Sequence, residues 1–164
     1  MNNIYHRVSI RKYENRPVEM NKTQELLKAA MAAPSAGNQQ PWEFYVVTNR
    51  QILDQLAAVS PYAGMLKNAP AAIVTAYREQ TRMLEYAQID MAISMENMWL
   101  EADRIGLGGV MLGIAPLEER MTQVEKIAGI PEGQRAFAIF SYGYPAENRK
   151  QQDRFKQERI HMIE

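Results

Sequence analysis

Pro34-Ser35-Ala36-Gly37-Asn38-Gln39-Gln40-Pro41-Trp42 is the stretch on which the reading of this 164-residue chain turns. Its prolines, glycine, serine and asparagine are turn formers, so it predicts a loop. Before it, residues 21–33 predict a helix. Asn21 offers a cap, Gln24 three residues on completes a capping box, and Leu26, Leu27, Ala30 and Ala33 form an apolar face. After it, residues 43–48 predict a strand through Phe44, Val46 and Val47. The stretch is therefore a helix-to-strand junction.

Further out, the pattern predicts a short helix over 50–59, strands over 71–77, 109–112 and 135–142, and a helix over 116–128. Residues 83–105 form the longest helical candidate. Its apolar positions, among them Leu84, Ile89, Met91, Ile93, Met95, Met98 and Trp99, cover too much of the circumference for a single core-facing stripe. In a small domain, a second subunit is the obvious cover. Residues 144–164 read as a polar tail with a basic cluster. The interspersed strands and helices predict an α+β domain with a mixed, mainly antiparallel sheet, and the length fits one domain over residues 1–164.

Composition narrows the chemistry. With no cysteine, disulfides, thiolate-bound metal and thiol catalysis are excluded. Nineteen basic and nineteen acidic residues leave a formal net charge of zero, so no global field attracts nucleic acid or an anionic membrane. No run is apolar enough to span a bilayer, and residues 1–14 lack the apolar core of a signal peptide. The expectation is a cytoplasmic protein. His6 and His161 are the only histidines and sit in no triad or metal-ligand pattern, so no metal site is expected. Demanding chemistry then falls to a cofactor.

Four constellations could carry such chemistry. In an extended stretch, Arg7, Ser9 and Arg11 point to one side. Two guanidiniums and a hydroxyl there suit a phosphate or a carboxylate, although a solvated basic segment has the same composition. The amides of the 34–42 loop carry donors and acceptors together. They suit a heteroaromatic edge that alternates C=O and N–H, such as a flavin pyrimidine; an ordinary loop explains the residue types as well. The run Gly106-Leu107-Gly108-Gly109-Val110-Met111 fails the dinucleotide fingerprint, which needs a strand before and a helix after. It reads better as a helix end followed by a strand whose backbone something flat can approach. The tail cluster Arg149-Lys150-Gln151-Gln152-Asp153-Arg154 is indistinguishable, alone, from a solvated tail.

Taken in order, these segments resemble the nitroreductase family. The resemblance runs from Arg7 to about His161 and rests on Arg7-x-Ser9-x-Arg11, on Ala-Pro-Ser-x-x-Asn-x-Gln-Pro-Trp at residues 33–42, on Gly-Leu-Gly at 106–108, on Gly-Tyr-Pro at 143–145 and on the basic tail with Arg154-Phe155. The 33–42 motif is the specific one. The resemblance implies a sheet flanked by helices in an intertwined homodimer, with FMN in a groove between the subunits. By the same resemblance Arg7, Ser9 and Arg154 are phosphate ligands, helped by the backbone N–H of Val8. Arg11 is the cation near flavin N1 and O2. Pro34, Ser35, Ala36 and Asn38 come from the partner subunit, and the backbone of Met111, Leu112 and Gly113 lies near the ring.

Two departures stand out. Val8 replaces a residue that is often basic, and Gln152 stands where many relatives carry a cation, with Lys150 close by to substitute. The helical insertion that covers the flavin in longer relatives has no counterpart here. The implied activity is ping-pong transfer of electrons from NAD(P)H to an electron-poor acceptor such as a nitroaromatic or quinone. A flavin-binding protein for storage or sensing is the alternative.

Overall fold

The computed structural model describes residues 3–164. One sheet of four strands organises the chain: β1 (Trp42–Val47), β2 (Ala71–Arg78), β3 (Gly108–Gly113) and β4 (Gln134–Gly143). They run in the order β1-β2-β4-β3, and each neighbouring pair is antiparallel. The parallel component is a bridge between Ser9 and Gly109. Four helices flank the sheet: α1 (Met20–Met31), α2 (Arg50–Leu56), α3 (Ala87–Arg104) and α4 (Glu118–Ala128).

Strand alternation sorts the core into two clusters. On one face Leu26 and Ala30 of α1 and Met95 and Met98 of α3 pack on Ile73, Ala138, Phe140 and Tyr142. On the other, Leu53 and Leu56 of α2 and Met121 and Val124 of α4 pack on Val74 and Ile139. A bulge after Thr75 shifts the β2–β4 register by one residue, and Ala136 joins the α2/α4 side instead of following Ala138. With helices on both faces, β2 is buried from Ala71 to Tyr77.

Several boundaries differ from the sequence expectation. Asn21 is not the cap of α1. The helix starts at Met20, and the N-cap Glu19 makes no capping side-chain bond. Its carboxylate is taken by Arg16 at 3.0 Å and by the Tyr144 hydroxyl at 2.6 Å. The side-chain cap appears instead at α2, where Asn49 accepts from Gln51 N and Ile52 N. The long helix starts four residues later than expected, after a 3-10 turn at Leu84–Tyr86. It buries Asp90 and Ser94 among its methionines while Ile89 and Ile93 remain 55% and 38% exposed.

The glycine run has a definite steric role. A Cβ on Gly108 would lie 2.7 Å from Ile10 Cγ1, and one on Gly109 would lie 2.5 Å from Phe140 Cζ. What approaches this backbone closely is the chain's own N-terminal segment and β4. Gly106, at φ 78°, supplies the left-handed turn after α3.

Candidate functional site

β3 is an edge strand, and the N-terminal segment lies along its free side. Ile10 N donates to Gly109 O at 2.9 Å, and the Ile10 side chain is buried over the glycines. Tyr13 secures the same segment. Its hydroxyl lies 2.9 Å from Ile10 O and 3.1 Å from Ser141 O, and it accepts from Ser141 Oγ at 2.8 Å. Burial pushes this phenol well above its ordinary range. Once Ile10 faces inward, extended geometry sets Ser9 and Arg11 the other way.

The tail closes over this segment from the opposite side. Ala146 N donates to Lys12 O at 2.9 Å, and Gln151 Nε2 donates to Ile4 O and Arg7 O at 2.9 and 3.1 Å. Glu147 Oε1 accepts the N–H groups of Arg11 and Lys12 at 2.6 and 3.1 Å. Burial alone would raise the Glu147 carboxyl; the two N–H groups and the positive charges of Arg149 and Lys12 together outweigh it and hold the group below its ordinary range.

A cavity of about 730 Å³ results, and it brings together Arg7, Val8, Ser9, Arg11 and Arg154 from the sequence expectation. Arg149, Lys150 and Gln152 also line it, so Lys150 does reach the wall that Gln152 shares. Arg7, Arg11, Arg149, Lys150 and Arg154 are cationic, and no acidic side chain lines the cavity. The guanidinium of Arg7 stacks on Trp99, 4.1 Å from the ring centroid. Its Nε pairs with Glu96 at 3.2 Å without hydrogen-bond geometry, and Arg7 Nε and Trp99 Nε1 are both buried without a hydrogen bond among the described residues.

Arg11 also lines a second groove of about 430 Å³ with Met111, Leu112 and Gly113 of β3, beside Ser60, Tyr62, Met65 and Arg120. Leu112 is buried and Met111 and Gly113 are exposed. One arginine thus joins the cationic cavity to the open edge of the sheet.

Pro34, Ser35, Ala36 and Asn38 line neither cavity. Their loop is pinned to α3 instead. Ala36 N donates to Asp90 Oδ1 at 2.9 Å and Gln39 Nε2 to Asp90 Oδ2 at 2.7 Å. Gln39 also exchanges hydrogen bonds with the Met83 backbone, 2.9 and 3.0 Å long. Ser35 Oγ accepts from Gln40 N at 3.0 Å. Gly37, Asn38 and Gln40 take φ of 54°, 53° and 48°, left-handed values that cost a non-glycine residue about 1–2 kcal/mol and hold only when neighbours over-determine them. Asp90, 2% exposed, is the residue that over-determines this loop.

Sequence reasoning missed Asp90, Glu147 and Arg120, and gave Arg149 no role beyond the tail cluster. A carboxylate interrupting an apolar helix was a signal for Asp90, and membership of the basic cluster was one for Arg149. Among the described residues, no group of histidine, aspartate and glutamate is arranged to hold a metal ion. Among the described residues, no helix is long and apolar enough to cross a membrane.

The model of the Nitroreductase family matches residues 4–144. A protein of Archaeoglobus fulgidus, provisionally named NADH dehydrogenase/NAD(P)H nitroreductase, is 40% identical over 163 residues, covering 96% of this chain and 94% of its own. Among solved structures, a protein of Clostridium acetobutylicum provisionally named NADH oxidase superposes with a TM-score of 0.96 at 43% identity over 99% of both chains. An FMN-dependent nitroreductase of Clostridium difficile R20291 superposes with a TM-score of 0.91 at 27% identity, covering 99% of this chain and 98% of that one.

Proposed function

The chain belongs to the nitroreductase family, and from that premise we propose that it is an FMN-dependent oxidoreductase, a homodimer of single-domain subunits that passes electrons from NAD(P)H to an electron-poor small molecule. The observation that carries the reading is the pair of cavities joined at Arg11, one cationic and free of acidic lining, the other along the open edge of β3.

The residues fit FMN. A phosphate monoester needs several donors of positive charge, and Arg7, Ser9, Lys150 and Arg154 would hold it, with the Val8 backbone beside them. Two carboxylates lie close by: Glu147 accepts the N–H groups of Arg11 and Lys12 and pairs with Arg149, and Glu96, half-exposed, lies 3.2 Å from Arg7 Nε, where a bound phosphate would compete with it. The ring would lie by the backbone of Met111, Leu112 and Gly113, with Arg11 against its N1 and O2 edge. When bound, FMN supplies the hydride-accepting and two-electron-donating chemistry.

The protein's own part is electrostatic and positional. A guanidinium fixed beside N1 favours negative charge there over the neutral state, without reorganisation during turnover. Within one chain the Pro34, Ser35, Ala36 and Asn38 loop lies away from both cavities, so its contribution to the site would come from a second copy. The exposed Ile89 and Ile93 of α3 give that copy an apolar face to cover. Donor and acceptor would use the same open groove in turn, which makes the kinetics ping-pong.

Steady-state oxidation of NADH or NADPH with menadione or a nitroaromatic as acceptor tests the reading. Parallel double-reciprocal lines are expected. FMN uptake without any nicotinamide-driven turnover would instead mark a flavin-binding protein for storage or sensing.

A further inference from the structure

We propose that Arg120, with Tyr62, forms a recognition site for an anionic group on the electron acceptor, and that the preferred acceptors are planar aromatic carboxylates carrying a reducible substituent such as a nitro group, which takes the two electrons from the reduced flavin while the carboxylate stays unchanged. The inference rests on the flavin reading for the position of the reacting ring.

Three observations carry it. First, Arg11 and Arg120 line the groove at β3 together, and no acidic side chain lines it with them. The formal net charge of the chain is zero, so this positive groove is a local arrangement and not the overflow of a basic protein. Second, Arg120 is half-buried and makes no ion pair among the described residues, whereas Arg135 nearby is held by Glu118 and Glu125 of the same helix α4. Third, Tyr62 is 73% exposed at the same groove. It is not a stray loop side chain. Tyr62 N donates to Ser60 Oγ at 3.2 Å, and Ala63 N donates to Ser60 O at 3.0 Å, so a closed turn places the ring there.

If Arg11 is committed to the flavin edge, Arg120 is the cation left for a second ligand. An aromatic ring beside a guanidinium suits a ligand that is itself aromatic and anionic: the ring stacks and the carboxylate pairs. The volume, about 430 Å³, is that of a small-molecule site. The carboxylate of an aromatic acid lies one bond from its ring, so ring and anion both fall inside the groove. In a nicotinamide dinucleotide a ribose separates the reacting ring from the first phosphate, which carries that charge away from it.

Calorimetry on the FMN-saturated, oxidised protein tests the assignment, with benzoate and its neutral counterpart benzyl alcohol as probes. The parent should bind benzoate more tightly. Arg120→Gln should weaken benzoate about tenfold, equal to about 1.4 kcal/mol, and collapse the preference. Arg120→Lys should restore most of it. Equal loss for both probes, or benzoate binding unchanged in Arg120→Gln, overturns the assignment. So does a variant that alters only the ratio of flavin reduction rates by NADPH and NADH, because that puts the arginine on a donor phosphate. Benzoate binding is read without nicotinamide, so a failure of NAD(P)H to reduce the flavin strikes the functional reading separately.

Discussion

Glutamine in place of Glu147 keeps the shape of the side chain and removes its charge. In the folded chain Glu147 Oε1 accepts Arg11 N at 2.6 Å and Lys12 N at 3.1 Å, and Oε2 lies 3.5 Å from Arg149 Nε. A hydrogen bond to a charged partner contributes about 1.5–3 kcal/mol. Arg11 and Lys12 are exposed, so water replaces part of the loss, and the glutamine oxygen still accepts both N–H groups, now as a neutral acceptor. The net cost is about 1–2 kcal/mol, which lowers Tm by about 2–8 °C for a chain of this size. The pH dependence has a definite sign. The folded carboxyl lies below its ordinary value of 4.5 because the two N–H groups, with the charges of Arg149 and Lys12, together outweigh burial. Its stabilisation is full above the unfolded pKa and is lost as pH falls through the folded one. Thermal unfolding of parent and variant, followed by circular dichroism at neutral pH and again below the carboxylate range, should therefore show a gap that closes in acid. Equal Tm values at neutral pH, or a gap as wide in acid, would refute the reasoning.

Arg154→Ala should weaken FMN far more than riboflavin in fluorescence titrations, because its role is toward the phosphate; equal weakening removes that role. Arg11→Gln should lower the flavin midpoint potential by about 20–60 mV in an anaerobic redox titration, from about 1–3 kcal/mol at about 30 mV per 1.4 kcal/mol. Lys12→Gln should move it less, since Lys12 lines neither cavity. Gly109→Ala should cost about 1–3 kcal/mol in urea denaturation, because its Cβ would meet Phe140 Cζ at 2.5 Å and the backbone Ser141 O at 2.8 Å; a neutral effect would show that β3 and β4 can separate cheaply.

The parts of the site that were legible in the sequence are those built from local geometry. Arg7, Ser9 and Arg11 share a side because the segment is extended, and the same alternation turns Ile10 into the core. The 33–42 stretch announced a junction through its turn formers and a family through its spacing. What stayed hidden depends on partners far along the chain. Glu147 reaches the Arg11 amide across 136 positions, and Asp90 reaches Ala36 across 54. Neither carboxylate has a local partner pattern to betray it. The start of α1 failed for the same reason. Asn21 satisfies the local capping rule, but the Glu19 carboxylate, drawn to Tyr144 and Arg16, fixes where the chain turns into the helix. The exposed isoleucines of α3 were anticipated from periodicity. The buried Asp90 and Ser94 were not, because periodicity ranks side chains by hydropathy and cannot see a loop that needs an acceptor.

Anaerobic mixing of the FMN-loaded protein with NADH, and separately NADPH, tests the central claim most directly. The account predicts full bleaching of the flavin band by at least one nicotinamide, then recovery of the oxidised spectrum when an electron-poor aromatic acceptor is added. A flavin that stays oxidised with both donors, while dithionite reduces it, would contradict the account.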